Sequence, residues 1–549
     1  MKYLKTARLI ISLSFFFLFL WLFLGLVPVN VKLANSLTCL QVVPALVRWN
    51  AGVGAGLIAL LAVAVMTLLV GRVYCSSLCP LGTLQDCAIK LNTQNSKLKS
   101  GAPPAGAGGS FPKRDSPRLA ESIQPPAGAG GFLQRGKYKK PVNWLRFGLP
   151  GLVLLAFYFG RIEPLMILDP YTEFGRIITE VIKPAAVVVN NHISYVLGMS
   201  GITAVRPAIM HFQDPGIMIF AAAVLLLLLG FSFFRGRIFC NTLCPVGGLL
   251  GIVSCLSVFK LKLDDKKCNS CGLCGSMCKA ECIDTANKKL DFSRCVSCFN
   301  CVSICNRGAV YYGTGFPARK PVNEERRETL RLMLSAATAF FIYLSYVPKA
   351  LAQGAVNLIP VIKKNTVIIP PGSGSIKKFR DLCTGCGLCV TACPTKVLTQ
   401  AVKNRLGRLE PFQPSMDYAH AYCSYNCTVC TQVCPTGAIK ELSVEEKRTK
   451  ALGAAKFIKE NCVVVTNGQP CVVCDEHCPS KAILLVKFKN DLSIPYVREH
   501  LCIGCGACEK SCPASPNKAI YVEGFETHRT AEKPKGLGNK WKSEGDFPF

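Results

Sequence analysis

Nothing in the sequence attaches a haem through C-x-x-C-H, cradles a nucleotide in a glycine loop, or sets a nucleophile beside its base. Covalently held haem, nucleotide cofactors and nucleophilic catalysis are therefore excluded as its chemistry. Acidic side chains are scarce, 33 against 64 lysines and arginines, for a formal charge of +31. No nucleic-acid motif accompanies that excess, so nucleic acid is not an expected partner. Charge is also missing from several long apolar runs. Half of the 549 residues are hydrophobic and the mean hydropathy is +0.32, which implies several domains with part of the chain in a lipid bilayer.

What the chain has in abundance is cysteine, 32 residues. In a soluble secreted protein this number would suggest disulfides, but here the cysteines recur in quartets, as iron–sulfur clusters require. A [4Fe–4S] cluster on four thiolates carries roughly −2, so six of them would cancel about −12 of the formal charge. The expected fold class is therefore multidomain, with a polytopic α-helical membrane domain and α+β ferredoxin-like [4Fe–4S] domains.

Residues 1–250 read as a four-helix membrane domain. Lys2, Lys5 and Arg8 precede the uncharged run Leu9 to Val27, long enough to cross a hydrocarbon layer of ~30 Å. Further spans are expected at Gly52 to Val70, Val142 to Gly160 and Pro215 to Phe234, with 28–51 and 161–213 outside. The stretch from Arg72 to Arg146 holds 12 Lys/Arg against 3 Asp/Glu, which places it in the cytoplasm. Within it 92–141 carries PPAGAGG twice and reads as a disordered insertion.

Gly71-Arg72-Val73-Tyr74-Cys75 to Cys79-Pro80-Leu81-Gly82 is repeated as Gly236-Arg237-Ile238-Phe239-Cys240 to Cys244-Pro245-Val246-Gly247. Each copy follows an inward-going span, so the halves read as parallel repeats. Two thiols at i, i+4 share one face of a helical turn, and a pseudo-twofold would bring two such faces together. Cys75, Cys79, Cys240 and Cys244 then form a shared metal centre or dithiol relay, or else are structural helix starts with buried reduced thiols.

Residues 260–315 read as a cytoplasmic two-cluster ferredoxin. Its quartets are Cys268, Cys271, Cys274, Cys278 and Cys295, Cys298, Cys301, Cys305. In this arrangement the fourth cysteine serves the other cluster, giving cluster A on Cys268, Cys271, Cys274 and Cys305, and cluster B on Cys295, Cys298, Cys301 and Cys278. Lys279 and Asn306 stand where proline usually follows. Cys39, Cys87, Cys255 and Cys282 fall outside any quartet and read as structural.

Residues 370–525 hold four more quartets: Cys383, Cys386, Cys389, Cys393; Cys423, Cys427, Cys430, Cys434; Cys462, Cys471, Cys474, Cys478; and Cys502, Cys505, Cys508, Cys512. Each fourth cysteine precedes a proline, which fixes the turn. A strand, turn and strand between the third and fourth quartets pairs one with two and three with four, although nesting one with four around two with three uses the same sulfurs. Residues 526–549 read as a flexible tail. Between the two modules, 326–352 carries Arg326 and Arg327, an uncharged run from Leu332 to Val347, and Ala350-Leu351-Ala352. It reads as a twin-arginine-like export signal or a fifth transmembrane helix, and either places the modules on opposite sides of a membrane.

Residues 1 to about 312 resemble the NapH-type membrane quinol dehydrogenases, related to nitrous-oxide-reductase regulators and cytochrome-oxidase accessory ferredoxins, through the two C-x3-C-P copies and the tandem quartets. Residues from about Pro370 to Ile520 are similar to NapG/MauM-type periplasmic ferredoxins through IPPGSGSIKKFRDLCTGCGLCVTACP and the four quartets. The resemblance implies a multi-pass protein of the bacterial inner membrane with a periplasmic carboxy-terminal ferredoxin domain. It implies six [4Fe–4S] clusters, a quinol dehydrogenase component of an electron-transfer chain, and electrons passed from membrane quinol to a periplasmic reductase or carrier. A ferredoxin-type accessory factor for maturing a respiratory metalloenzyme, or a cluster-bearing regulatory scaffold, is the alternative. Quinol oxidation needs a proton acceptor, and Glu163, Asp169 and His211 are available, with Asp169 singled out; Asp-Pro also begins helices.

Overall fold

The computed structural model describes residues 2–26, 30–99, 138, 143–200, 205–208, 214–314, 366–400, 409–489 and 491–533. The 326–352 segment, both PPAGAGG copies and His211 lie outside the described residues. Four helices form where spans were expected: α1 (Lys2–Leu24), α4 (Gly54–Val70), α7 (Asn143–Tyr158) and α11 (Pro215–Arg235). α1 and α11 are long and apolar enough to cross a membrane, while α4 and α7 are apolar but shorter. Their outer faces expose Ile10, Phe17, Ile58, Leu61, Leu152, Leu226 and Phe234, a surface that water would penalise.

The segments expected to lie outside as loops instead tuck back among the helices. α2 (Val31–Cys39) and α3 (Val42–Asn50) form a hairpin whose turn reaches inward, where the Tyr74 hydroxyl donates to Gln41 at 2.8 Å. α8 (Glu163–Leu168) and α9 (Pro170–Arg176) meet at Asp169, and α9 continues through a π turn, Ile177–Ile182, into α10 (Lys183–Met199). Helices this short do not register as spans, and Gln41 and Asp169 at their turns are hydrogen-bonded within the protein.

After α4 come α5 (Val73–Ser77) and α6 (Pro80–Lys99); after α11 come α12 (Ile238–Thr242) and α13 (Pro245–Ser254). The repeat seen in the sequence is thus a repeat of structure. α6 runs on to Lys99, past residue 92 where an unstructured insertion was expected to begin.

The 259–314 module pairs β1 (Phe259–Leu263) with β4 (Val310–Thr314), and β2 (Ile283–Asp284) with β3 (Lys289–Leu290), all antiparallel. It sits on the C-x3-C-P end of the helices, where Tyr312 donates to the Val70 carbonyl at 2.9 Å and Lys5 to Ser303. The 366–533 module pairs β5 (Leu398–Thr399) with β6 (Ser415–Met416), β7 (Lys450–Phe457) with β10 (Ile520–Thr530), and β8 (Ile483–Lys487) with β9 (Ser493–Val497). β8 and β9 are the expected hairpin. β10 continues through Thr530, so the tail does not begin at 526; Thr527 bridges to Ser375 and His528 is buried.

This second module docks at the other end. Arg48 donates to the Cys434 carbonyl, Arg176 to Gly385, and the Phe220 and Phe412 rings lie 4.8 Å apart. α1 therefore runs from one module at Lys5 to the other at Gly25, which packs on Thr391. Its 23 residues span roughly 34 Å at 1.5 Å per residue.

Candidate iron–sulfur centres

Four of the six ferredoxin loops place a left-handed residue just before the short helix that carries the third cysteine: Gly272 (φ 78°), Phe299 (φ 59°), Gly387 (φ 77°) and Gly506 (φ 82°). In both modules the fourth cysteine crosses to its partner quartet. Cys268, Cys271, Cys274 and Cys305 gather at site A, and Cys295, Cys298, Cys301 and Cys278 at site B. In the 366–533 module, site I gathers Cys383, Cys386, Cys389 and Cys434; site II Cys423, Cys427, Cys430 and Cys393. Site III gathers Cys462, Cys471, Cys474 and Cys512; site IV Cys502, Cys505, Cys508 and Cys478. The first quartet pairs with the second and the third with the fourth; the nested arrangement does not form.

The thiol sets suit cubanes. Cys478, Cys502, Cys505 and Cys508 face one pocket at site IV, and Cys278, Cys295, Cys298 and Cys301 face another at site B. Among the described residues no three His, Cys, Asp or Glu side chains close on one point as the ligands of a single ion do. A cubane holds its thiolates farther apart than one tetrahedral zinc. Burial pushes the Cys386, Cys474 and Cys505 thiols up to about 12, so loading iron must displace their protons.

Adjacency within the 366–533 module orders its sites I, II, IV, III. Cys389 of site I neighbours Cys430 of site II; the Cys423 N–H of site II donates to the Cys505 carbonyl of site IV at 2.9 Å; Cys508 of site IV neighbours Cys474 of site III. Site I lies against the helices. In the other module the site B loop cysteines, Cys295, Cys298 and Cys301, are buried against them, whereas Cys271 of site A is exposed.

Cys75, Cys79, Cys240 and Cys244 are brought together, all buried. The sequence reading missed the two arginines that hold them. Arg72 Nη2 donates to the Cys240 carbonyl at 3.0 Å and lies 3.9 Å from Cys75 Sγ; Arg237 Nη1 donates to the Cys75 carbonyl. Each guanidinium crosses to the other repeat. A Cβ on Gly82 would sit 2.4 Å from the Cys75 carbonyl oxygen and 3.1 Å from Arg237, and one on Gly247 would sit 1.9 Å from the Cys240 carbonyl oxygen and 3.0 Å from Arg72. The signal was present in the sequence, since G-R and C-P-x-G keep the same offsets in both copies.

Lys279, which replaces the usual proline, is explained by docking. Its carbonyl accepts from the Arg237 N–H at 2.9 Å, and its ammonium pairs with Asp86 at 2.7 Å. Asp86 also pairs with Arg8 and with Arg237. Burial would raise its carboxyl, but Arg237, Lys279 and Arg8 outweigh burial and hold it well below the usual carboxylate range.

At the other end Asp169 caps α9, accepting from the Tyr171 and Thr172 N–H groups and from the Thr172 hydroxyl at 2.6 Å. Burial raises its carboxyl to about 6 against those bonds. One turn on, Glu173 pairs through Oε1 with Arg176 at 2.7 Å, while its Oε2 is buried without a partner. Burial, more than the opposing Arg176, raises this carboxyl to about 7. Glu163 lies apart, on Arg161 at 3.1 Å. The buried Tyr171 hydroxyl, also unpartnered, neighbours Cys386 and Cys434 of site I as well as Asp169; Tyr74 neighbours Asp169 on one side and Cys75 and Cys79 on the other.

Comparison with known proteins supports 4Fe–4S clusters in this chain. A segment of 164 residues, 27% of this chain, is 32% identical to the methylamine utilization ferredoxin-type protein MauM of Methylophilus methylotrophus and covers 68% of it. The chain belongs to the MauM-type ferredoxin family. Its relatives include the ferredoxin-type protein NapF of Escherichia coli K12, 29% identical over 29% of this chain and 88% of that protein. NapG of the same organism is 33% identical over 26% of this chain and 64% of its own length. Family models for 4Fe-4S dicluster domains match residues 382–438 and 291–397, and a 4Fe-4S binding domain matches 495–515. The 291–397 match joins quartets that the structure holds at opposite ends. Another 4Fe-4S binding domain model matches twice, at 53–98 and 217–264, over the two C-x3-C-P copies. No solved structure matches. This ferredoxin-type chain is an iron–sulfur electron-transfer protein.

Proposed function

We propose that this chain is a multi-pass protein of the bacterial inner membrane that oxidises quinol and passes electrons to a periplasmic reductase or carrier. On this reading sites A, B and I to IV each hold a [4Fe–4S] cluster, and bound clusters supply one-electron carriers. The observation that carries the reading is the placement of the modules, one at each end of a helical domain whose α1 is as long as a bilayer is thick. The apolar outer faces of α1, α4, α7 and α11 support the membrane assignment.

The Cys75, Cys79, Cys240 and Cys244 centre lies between the modules and shortens a gap of ~30 Å that a single electron hop does not cover. Arg72 brings a positive charge to it. This guanidinium is fully buried, and none of its hydrogen-bond partners among the described residues is a carboxylate. Its partners are the Asn241 side chain and the Ser293 and Cys240 carbonyls, with the Cys75 sulfur 3.9 Å away.

For the proton of quinol oxidation, Glu173 replaces Asp169 as the better acceptor. Asp169 has spent its oxygens on capping α9, whereas Glu173 keeps a buried oxygen free and is raised toward neutrality. Arg176 fixes the orientation of Glu173 and ties α9 to the site I loop. Re-oxidation of dithionite-reduced protein by a quinone analogue tests the function. Fast re-oxidation that Glu173→Gln slows, with iron content unchanged, supports it; protein that stays reduced contradicts it.

A further inference from the structure

In the ferredoxin loops the residue four positions after the crossing cysteine is usually a small or branched apolar residue. It is Ala309 after Cys305, Val397 after Cys393, Ala438 after Cys434 and Ala482 after Cys478, each buried. After Cys512 the chain takes a longer path to the buried Ala519. Site IV shows the geometry: Ala482 lines the cavity, and its N–H donates to Cys478 Sγ at 3.2 Å. Site B alone has a thiol there. Cys282, four after Cys278, is 1% exposed and lines the site B cavity with Cys278, Cys295, Cys298 and Cys301; its N–H lies 3.5 Å from Cys278 Sγ. Its own Sγ is 3.5 Å from Cys278 Sγ and also hydrogen-bonds Cys295. Four thiolates complete a cubane, so the fifth sulfur is surplus to ligation.

We propose that Cys282 is a tuning residue of site B, whose single S–H donates to the ligand sulfur of either Cys278 or Cys295 and raises the reduction potential of the cluster held there. This rests on the reading that the quartets hold clusters. A hydrogen bond to a ligand sulfur offsets part of the charge added on reduction, and so favours the reduced state. The five other positions, being Ala or Val, have no such donor. The device favours the electron on site B, the member of its pair packed against Arg237 and the four-cysteine centre, over the exposed site A.

The test is a potentiometric titration of the full-length protein followed by electron paramagnetic resonance, with the site B signal identified as the one perturbed by Cys298→Ser. Iron and sulfide are counted first. In Cys282→Ala the expected result is unchanged iron and a site B midpoint moved to lower potential, with a several-fold smaller reduced fraction at the wild-type midpoint. Cys282→Ser, which keeps a donor, retains most of the wild-type value. A midpoint unmoved or raised in Cys282→Ala, or an equal fall in both variants, overturns the proposal. Loss of site B iron in Cys282→Ala overturns it by making Cys282 a ligand, and wild-type protein without quartet iron overturns the cluster reading itself.

Discussion

Asp86 is the point where charges from α1, α12 and the 259–314 module meet. Its carboxylate answers Arg8, Arg237 and Lys279, all buried. Asp86→Asn leaves those cations without an anion and is expected to cost about 3–5 kcal/mol, read as a lowered unfolding temperature in detergent. Because the folded carboxyl is held below its ordinary value, its stabilisation is complete above about pH 4 and is lost only as pH falls below that. Glu173 has the opposite sign. Its carboxyl is raised to about 7, so quinone-linked turnover that needs it as a base rises as pH climbs through 7. Glu173→Gln should lower the rate about 100-fold or more and flatten that limb, whereas Asp169→Asn, still able to cap, changes it far less. The quartet cysteines were legible because a cubane fixes their spacing along the chain. Glu173 was not, since its value arises from burial against Arg176 and from the neighbouring cap, neither of which leaves a trace in a single sequence.

The elements that matter most are the paired G-R-x-x-C-x3-C-P-x-G turns. Gly71 and Gly236 end their helices at positive φ, and a side chain at either would strike the docked module, Phe292 at 2.9 Å and the Lys279 carbonyl oxygen at 2.3 Å. Gly82 and Gly247 admit the crossing arginines. Gly247→Ala is therefore expected to cost about 1–3 kcal/mol and to expose the buried thiols to alkylation, while Gly151→Ala, with nothing within 4 Å, is near neutral. The repeat was readable from aligned motifs. The α2–α3 and α8–α9 hairpins were not: hydropathy sees length and charge, and these short helices with a buried Gln41 or Asp169 at the turn look like outside loops. The same blindness hid β7, whose partner β10 lies far along the chain.

At the scale of the whole molecule the sites form two short files meeting the helical domain from opposite ends, A then B from one side and III, IV, II, I from the other. The four cysteines, Tyr74, Asp169 and Tyr171 lie between them. This order predicts that losing site II, by Cys427→Ser with Cys430→Ser, isolates sites III and IV from quinol while sites A, B and I are still reduced, as spectroscopy of partially reduced protein would show. An electron path from one side of a membrane to the other requires the two modules to occupy different compartments. Protease added to intact spheroplasts tests that directly: residues 366–533 should be cleaved or released while 259–314 is protected until the membrane is opened. Equal protection or equal cleavage of both would contradict it.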